Sequence, residues 1–250
     1  MIKIIEESII KLQKQFKKIK SMEYVKTVRN GSTGVGATFE KLLGKEEENF
    51  EIPDYYGIEI KTKRAYSKSY ITLFNCVPTG SLFHETKRLR DNYGYPMKKD
   101  KLLKELYAEV FANNATKIGL WYYFKLKIDK RNEKIILLIY NYKKELIDDT
   151  TYWDFDILKE KLERKLQTLA LVKAWPNKIN GNEYFKYYKM NIYILKEFDD
   201  FIDALTKGKI KISLKIGSYI EEKKYGQIKE HGVSFAIQEE DLLDIFDIYR

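Results

Sequence analysis

The sequence contains very little cysteine, histidine and proline. Its 250 residues include one cysteine, two histidines and four prolines. The single cysteine, Cys76, excludes an intramolecular disulfide and a zinc site built from several cysteines. No apolar run approaches the roughly 20 residues that span a bilayer, and Glu6 and Glu7 interrupt the apolar start, which is unlike a secretory signal. We therefore expect a cytoplasmic protein without a membrane-spanning segment.

The charge balance is strongly basic. Lysine and arginine number 46 against 37 aspartate and glutamate residues, which gives a formal net charge of +9. A basic protein without a membrane segment most often meets a polyanion, and nucleic acid is the commonest one. The alternative is compositional, since isoleucine, asparagine and tyrosine are abundant too. The 20 tyrosines can stack on bases, but tyrosine also packs protein cores.

Two carboxylates and a lysine lie close together between Ile52 and Lys61, in the sequence IPDYYGIEIK. Asp54 precedes a turn at Gly57, and the alternation after that turn predicts a strand with Glu59 and Lys61 on one face. Carboxylates bind hard divalent cations, and a neighbouring lysine can stabilise a phosphate or orient an attacking water. The pattern is therefore typical of a metal site beside a phosphodiester. The alternative is a pair of ordinary surface residues on a half-exposed strand.

The segments around this stretch carry a family resemblance. GSTGVGATFEKLLG runs from Gly31 to Gly44, and SYITLF follows from Ser69 to Phe74. With the Pro53-Asp54 and Glu59-Ile60-Lys61 motif, these segments resemble the MvaI/BcnI-type restriction endonucleases. That branch is related to the MutH nicking enzyme and belongs to the PD-(D/E)xK nuclease superfamily. The resemblance is tightest over residues 31–75 and weaker over 205–237.

The resemblance implies an active site and a reaction. Asp54, Glu59 and the carbonyl of Ile60 would bind one or two Mg2+ ions, and Lys61 would orient the nucleophile or stabilise the phosphate. Glu40, on the helix after the glycine-rich loop, would be a further catalytic acid. Its alternative interpretation is a solvated helix residue. The implied activity is that of a type II restriction endonuclease, which cuts double-stranded DNA as a monomer, one strand at a time, without an obligate protein partner.

The periodicity along the chain predicts an α/β (α+β) fold of helices and a mixed sheet, and the resemblance implies that they form a PD-(D/E)xK core in which helices flank the sheet. By the same resemblance, residues 1–150 would form a catalytic lobe and residues 151–250 a DNA-recognition lobe, within one continuous endonuclease domain that forms a DNA cleft. Apolar residues at three- and four-residue steps predict helices at 2–20, 100–111, 154–169, 198–205 and 238–249. Alternation predicts strands at 59–63, 69–77, 118–128, 134–140, 209–216 and 232–237. The first two of these strands, and the third and fourth, are predicted to form hairpins.

Two segments are predicted to contact DNA. Residues 81–96 are basic, aromatic and rich in turn residues, and their cations could bind phosphates or guanine. Residues 209–216 place lysines opposite a row of isoleucine and leucine, and a His-Gly turn follows, as in the family's recognition segment. The alternative for both segments is simple solvation. The predicted DNA-binding residues are His84, Arg88, Arg90, Lys209, Lys211, Lys215 and His231.

Two other functions stay open at this point. One is a MutH-like nicking endonuclease of DNA repair, although the short spacing from Asp54 to Glu59 fits the MvaI-like branch better. The other is a non-catalytic basic DNA-binding module in which Asp54, Glu59 and Lys61 are structural.

Overall fold

The computed structural model describes residues 2–44, 55–79 and 82–250. These residues group into two compact units, each drawn from both sides of residue 150. The predicted assignment of a catalytic lobe and a recognition lobe, divided at that residue, stays a prediction. The first unit is Met1–Ser69, Glu163–Lys196 and Phe246–Arg250, and the second is Tyr70–Leu162 and Glu197–Ile245.

The helices of the described residues follow the amphipathic patterns in four cases. The predicted helices at 2–20, 154–169 and 198–205 are confirmed, as is the helix between the glycine-rich loop and Gly44. None of the described helices is both long and apolar enough to cross a membrane. The helices are α1 (Ile2–Lys20), α2 (Gly34–Leu42), α3 (Leu82–Tyr93), α4 (Phe155–Leu166), α5 (Phe198–Thr206) and α6 (Leu242–Ile245).

The described strands form one sheet in the first unit and two in the second. The strands are β1 (Val25–Lys26), β2 (Glu59–Arg64), β3 (Ile71–Asn75), β4 (Tyr95–Pro96), β5 (Lys104–Val110), β6 (Thr116–Ile118), β7 (Tyr122–Asp129), β8 (Lys134–Asn141), β9 (Leu146–Asp154), β10 (Thr168–Ile179), β11 (Asn182–Leu195), β12 (Ile210–Ser218), β13 (Ile228–Ile237) and β14 (Phe246–Ile248). The first unit's sheet has the order β1-β11-β10-β2, and β14 also pairs with β11. Among its described strand pairs, β10 and β2 alone run parallel, so the predicted mixed sheet is confirmed.

The core of the first unit lies between this sheet and the helices α1 and α2. Apolar residues at three- and four-residue steps give α1 one buried stripe, and Phe39 of α2 lies 5.1 Å from Tyr187 of β11, ring centre to ring centre. The side chains of Ile60, Ala170 and Val172 belong to the same core. The even-numbered positions of β2 and β10 therefore face the helices.

The second unit contains the sheets β3-β13-β12-β5-β4 and β6-β7-β8-β9. The rings of Phe74 on β3 and Phe235 on β13 stack with centres 4.9 Å apart. The predicted hairpin of β7 and β8 is confirmed, with Asp129 opposite Lys134. The predicted inward row of β12 is also confirmed, since Ile210, Ile212, Leu214 and Ile216 are all buried.

Three local predictions are wrong. The strands β2 and β3 do not form a hairpin, because β2 pairs with β10 and β3 with β13. The segment predicted as a helix at 100–111 contains the strand β5, whose Leu106, Ala108 and Val110 are buried at every second position. The segment predicted as a closing helix, 238–249, contains a short 3-10 turn, the four-residue helix α6 and the strand β14.

An ionic network joins α3 to the sheet that contains β9. Arg88 contacts Glu85 on its own helix and Asp148 on β9, and the Tyr93 hydroxyl donates to Asp148 at 2.6 Å. Burial would raise the pKa of Asp148, but the hydrogen bonds from Arg88, Tyr93 and Thr150 outweigh it and lower the pKa to about 2. Asp148 is 9% exposed. Asp148 therefore contributes most to this network when its carboxylate is ionised.

The Asp148→Asn variant tests this network. A carboxylate with a lowered folded pKa stabilises the fold above its ordinary value of 3.8 and loses that contribution as the pH falls toward about 2. We expect the free energy of unfolding of the variant to be lower by roughly 2–4 kcal/mol near neutral pH, with the difference shrinking below about pH 4. Denaturant unfolding over this pH range measures it. The neighbouring exposed Asp149→Asn is the control, and equal effects of the two variants would contradict the assignment.

Candidate active site

A tight turn introduces the strand that carries the predicted catalytic residues. Tyr55 and Ile58 exchange two backbone hydrogen bonds of 2.9 Å, and Tyr56 and Gly57 between them both have positive φ, of 46° and 86°. Such a two-residue turn requires positive φ at both central positions, which glycine supplies easily. The chain then enters β2 at Glu59. Asp54, the predicted first carboxylate, lies outside the described residues.

The structure brings Glu59 and Lys61 together as the alternation predicts. Lys61 Nζ donates to Glu59 Oε1 at 2.5 Å. The carboxylate is 1% exposed, whereas the lysine side chain is 26% exposed. A buried carboxylate is stable in its charged form only beside cations or hydrogen-bond donors. The pair therefore holds a negative charge inside the protein while its ammonium group reaches solvent.

A second lysine, which the sequence does not single out, reaches the same carboxylate. Lys165 Nζ, from the last turn of α4, lies 3.7 Å from Glu59 Oε1, and its side chain is 27% exposed. In the sequence Lys165 is one of several cations of an amphipathic helix, and it lies at the border of the buried stripe, three residues after Leu162 and seven after Leu158. This spacing predicts partial burial of Lys165 but not its partner, because its proximity to Glu59 depends on the pairing of β2 with β10, the strand that follows α4.

The strand β2 also contains Ile60, whose backbone carbonyl is the third predicted metal ligand. Its side chain is 5% exposed and packs in the core between the sheet and the helices. Ala170 on β10 lies opposite it, and Leu169 and Leu171 lie opposite Glu59 and Lys61. One face of β2 therefore carries the charged groups and the other anchors the strand. The role of the Ile60 carbonyl as a ligand stays a prediction.

The helix α2 packs close to β2 at Gly36. A Cβ atom at Gly36 would lie 3.3 Å from Thr62 Oγ1 and 3.8 Å from Glu40 Oε1, so the predicted catalytic acid Glu40 and Thr62 both border this glycine. Thr62 lies on the Ile60 face of β2 by strand alternation. The described contacts therefore place Glu40 on the helix-facing side of β2. Its catalytic role stays a prediction.

Hydrogen bonds from Thr38 and Tyr187, and not from the cap residue Thr33, hold the start of α2. Thr33 occupies the cap position but makes no capping hydrogen bond through its side chain. Thr38 Oγ1 instead donates to the Gly34 carbonyl at 2.7 Å, and the Tyr187 hydroxyl donates to the Val35 carbonyl at 2.7 Å. Burial raises the pKa of Tyr187 well above its ordinary value. This hydroxyl therefore remains a donor at neutral pH.

Arg64, at the end of β2, holds the glycine-rich loop. Its guanidinium donates to both carboxylate oxygens of Glu183 on β11, each at 2.9 Å, and to the carbonyls of Gly31 and Ser32 at 2.7 and 2.9 Å. Bidentate pairs of this kind are strong and directional. Sequence reasoning missed this contact, because Arg64 and Glu183 are 119 residues apart in the chain.

The two predicted DNA-binding arginines make contacts within the second unit. Arg88 contacts Glu85, Asp148 and Thr151. Arg90 is 5% exposed and donates to Ser218 Oγ at 3.0 Å and to the Gly217 and Gly226 carbonyls. Both guanidinium groups are thus held by protein acceptors, and DNA contact by either stays a prediction.

The predicted lysine row of β12 is not uniformly exposed. Lys209 Nζ lies 2.6 Å from Asp244 Oδ2, and this hydrogen bond raises its pKa. Lys211 was expected to point outward, but its side chain is 7% exposed, because it contacts Glu109 and lies over the Tyr70 ring. Lys215 is exposed. The backbones of His84 and His231 lie in α3 and β13, and their side chains fall outside the described part of the structure.

The donor set for a metal is incomplete among the described residues. They contain no group of three or more His, Cys, Asp and Glu side chains that could hold a metal ion. Glu59 supplies one buried carboxylate, and the predicted second carboxylate, Asp54, lies outside the described ranges. The metal site therefore stays a prediction.

The chain is similar to a known protein family and to solved structures. The model of the MvaI/BcnI restriction endonuclease family matches residues 13–246. Two solved structures are similar over nearly the whole chain. One, described as a complex of restriction endonuclease MvaI with its cognate DNA substrate, is 32% identical, with coverage of 95% of this chain and 96% of that chain and a TM-score of 0.86.

The second solved structure is MvaI in the absence of DNA. It is 31% identical and has a TM-score of 0.65, with coverage of 97% of each chain. A comparison with curated protein sequences found no match. The likeness to the DNA-complexed structure confirms the predicted fold class and the family resemblance.

The Arg64→Gln variant tests the contact that holds the loop before α2. It leaves the carboxylate of Glu183, which is 18% exposed, without the guanidinium, and the Gly31 and Ser32 carbonyls lose their donors. We expect the free energy of unfolding to fall by roughly 2–4 kcal/mol, measured by denaturant unfolding. The control is Lys186→Gln, which breaks a pair with the 85% exposed Glu23 and should cost less than about 1 kcal/mol. A loss no larger than the control's would contradict this role.

Proposed function

The chain belongs to the MvaI/BcnI restriction endonuclease family, and we propose that it is a type II restriction endonuclease that hydrolyses phosphodiester bonds at a short specific site in double-stranded DNA. The observation that carries the proposal is the buried Glu59 carboxylate with Lys61 against it, at the start of β2, in a chain that matches the family model from residue 13 to 246. The DNA substrate in the similar MvaI complex supports the choice of ligand. The basic net charge of +9 agrees with a polyanionic partner.

We propose that the reaction depends on one or two Mg2+ ions. The donors fit this ion in kind, because a carboxylate from Glu59 and a backbone carbonyl from Ile60 are hard oxygen ligands. Asp54 would complete the set, and Glu40 would hold a water or assist a second ion. When bound, Mg2+ would supply a more acidic water and neutralise charge on the phosphate.

The chain's own residues would orient and stabilise the reacting groups. Glu59 holds the Lys61 ammonium at a fixed place beside the site, because the carboxylate is buried and the pair is short. From that place Lys61 can donate to an oxygen of the scissile phosphate or orient the attacking water. Ile60 keeps this geometry rigid, since its side chain is locked in the core.

Single substitutions of the pair test the proposed activity. We expect Glu59→Gln and Lys61→Met to reduce cleavage of a site-containing plasmid in Mg2+ by at least about 100-fold, whereas binding of a duplex in EDTA persists. End mapping of the wild-type products identifies the site and the cut position. Asp149→Asn and Lys26→Met, at exposed positions, are the controls. Wild-type cleavage by either active-site variant would overturn the assignment, and metal-independent binding without any cleavage by the wild type would indicate a binding module.

We further propose that the enzyme acts as a monomer and cuts one strand at a time, as the family resemblance implies. A monomer with a single active site must reverse its orientation on the duplex between the two cuts. Supercoiled plasmid should therefore pass through a nicked circle before it becomes linear, at a rate proportional to enzyme concentration. Gel analysis over time measures this course. Direct conversion to linear DNA would contradict it, and accumulation of nicked circles alone would favour the MutH-like alternative.

A further inference from the structure

Lys165 lies at the candidate active site although it belongs to neither the motif strand nor the turn before it. Its Nζ atom is 3.7 Å from Glu59 Oε1, and its side chain is 27% exposed, nearly the same as the 26% of Lys61. Its neighbour Leu166 is fully buried, so the last turn of α4 is anchored at this place. Lys165 and Lys61 thus approach one oxygen atom from different elements, a helix and a strand.

Among the described side chains at this point, the charges do not balance. One carboxylate oxygen serves two ammonium groups, so these three side chains together carry an excess of one positive charge. Two ammonium groups near one atom repel each other, and burial of Glu59 makes this repulsion larger than it would be in water. An anion beside Oε1 would supply the second ammonium group with a partner of its own. Both lysines are exposed enough to reach such an anion.

We propose that Lys165 is a second phosphate-binding cation of the active site and contacts the scissile phosphate together with Lys61. The inference rests on the proposed function, which supplies a phosphodiester as the anion. A purely structural role explains the position less well, because Lys61 already pairs with this carboxylate at 2.5 Å and the Lys165 side chain is 27% exposed. Two cations that reach one phosphate from different elements also fix its orientation, which a single lysine does not.

The structure offers a closely matched control for this lysine. Lys196 lies 3.8 Å from Asp247 Oδ1, and its side chain is also 27% exposed. Its carboxylate partner is 77% exposed, in contrast to the buried Glu59. Lys165→Met and Lys196→Met therefore remove the same charge from lysines of equal exposure, in pairs of similar length, only one of which is at the candidate site.

The test is duplex binding in EDTA, over a range of salt concentrations, by the wild type, Lys165→Met, Lys165→Arg and Lys196→Met. Two duplexes are compared, one with the natural phosphate and one with an uncharged methylphosphonate at the mapped cleavage position. For the natural duplex we expect Lys165→Met to weaken binding by roughly tenfold and to reduce the slope of log Kd against log salt by about one. Lys165→Arg should restore the slope, and Lys196→Met should match the wild type.

The methylphosphonate duplex locates the contact. If Lys165 meets the scissile phosphate, the wild type and Lys165→Met should bind this duplex equally well. A natural duplex that Lys165→Met binds as tightly as the wild type, with the same slope, would overturn the proposal. Equal weakening on both duplexes would also overturn it, because the contact would then be with another phosphate. Failure of the wild type itself to bind or cut duplex DNA would instead count against the proposed function, so the two failures can be told apart.

Discussion

The candidate site depends on one buried negative charge, the carboxylate of Glu59. Removing a carboxylate from water is costly, and the cost is offset only by cations or donors close to it. Lys61 at 2.5 Å and Lys165 at 3.7 Å from Oε1 provide that compensation. Because the carboxylate is buried and the two ammonium groups are partly exposed, the charge fixes the lysine positions without removing them from solvent. A site for a polyanion needs cations that are held in place and still accessible.

Strand alternation connects this charge to the hydrophobic core. The odd positions of β2 carry Glu59 and Lys61, and the even positions begin with Ile60, which packs among residues of α1, α2, β10 and β11. The parallel pairing with β10 fixes the register, and a shift of one residue would exchange the two faces. Arg64 at the far end binds Glu183 and the loop before α2. The core, the register and the loop contact therefore hold the same six-residue strand.

The sequence predicted those parts of the site that depend on near neighbours. The pairing of Glu59 with Lys61 follows from a two-residue period, and the turn before them from glycine. The contacts of Lys165 with Glu59 and of Glu183 with Arg64 depend on the order of the strands beside β2. No pattern within β2 contains that information. Local patterns also gave a wrong prediction where a helical period and a strand period fit the same segment. Leu103, Leu106 and Val110 are compatible with a helix, but Leu106, Ala108 and Val110 are equally compatible with the strand that forms. Lys211 shows the same limit, because Glu109 and Tyr70 from other strands bury it.

The count of basic residues is therefore a weak guide to which of them meets DNA. Arg90 is buried against backbone carbonyls and Ser218, and Lys209 lies between two aspartates, so each already has oxygen acceptors of its own. At Glu59 the described cations outnumber the acceptors, because two ammonium groups lie near one carboxylate oxygen. Two cations that share one carboxylate each have a weaker interaction within the protein than a cation with a carboxylate of its own. Each therefore loses less of that interaction when it binds a phosphate, and the net binding is stronger. By this criterion we expect Lys61 and Lys165, at the buried carboxylate, to be better phosphate ligands than Arg90 and Lys209.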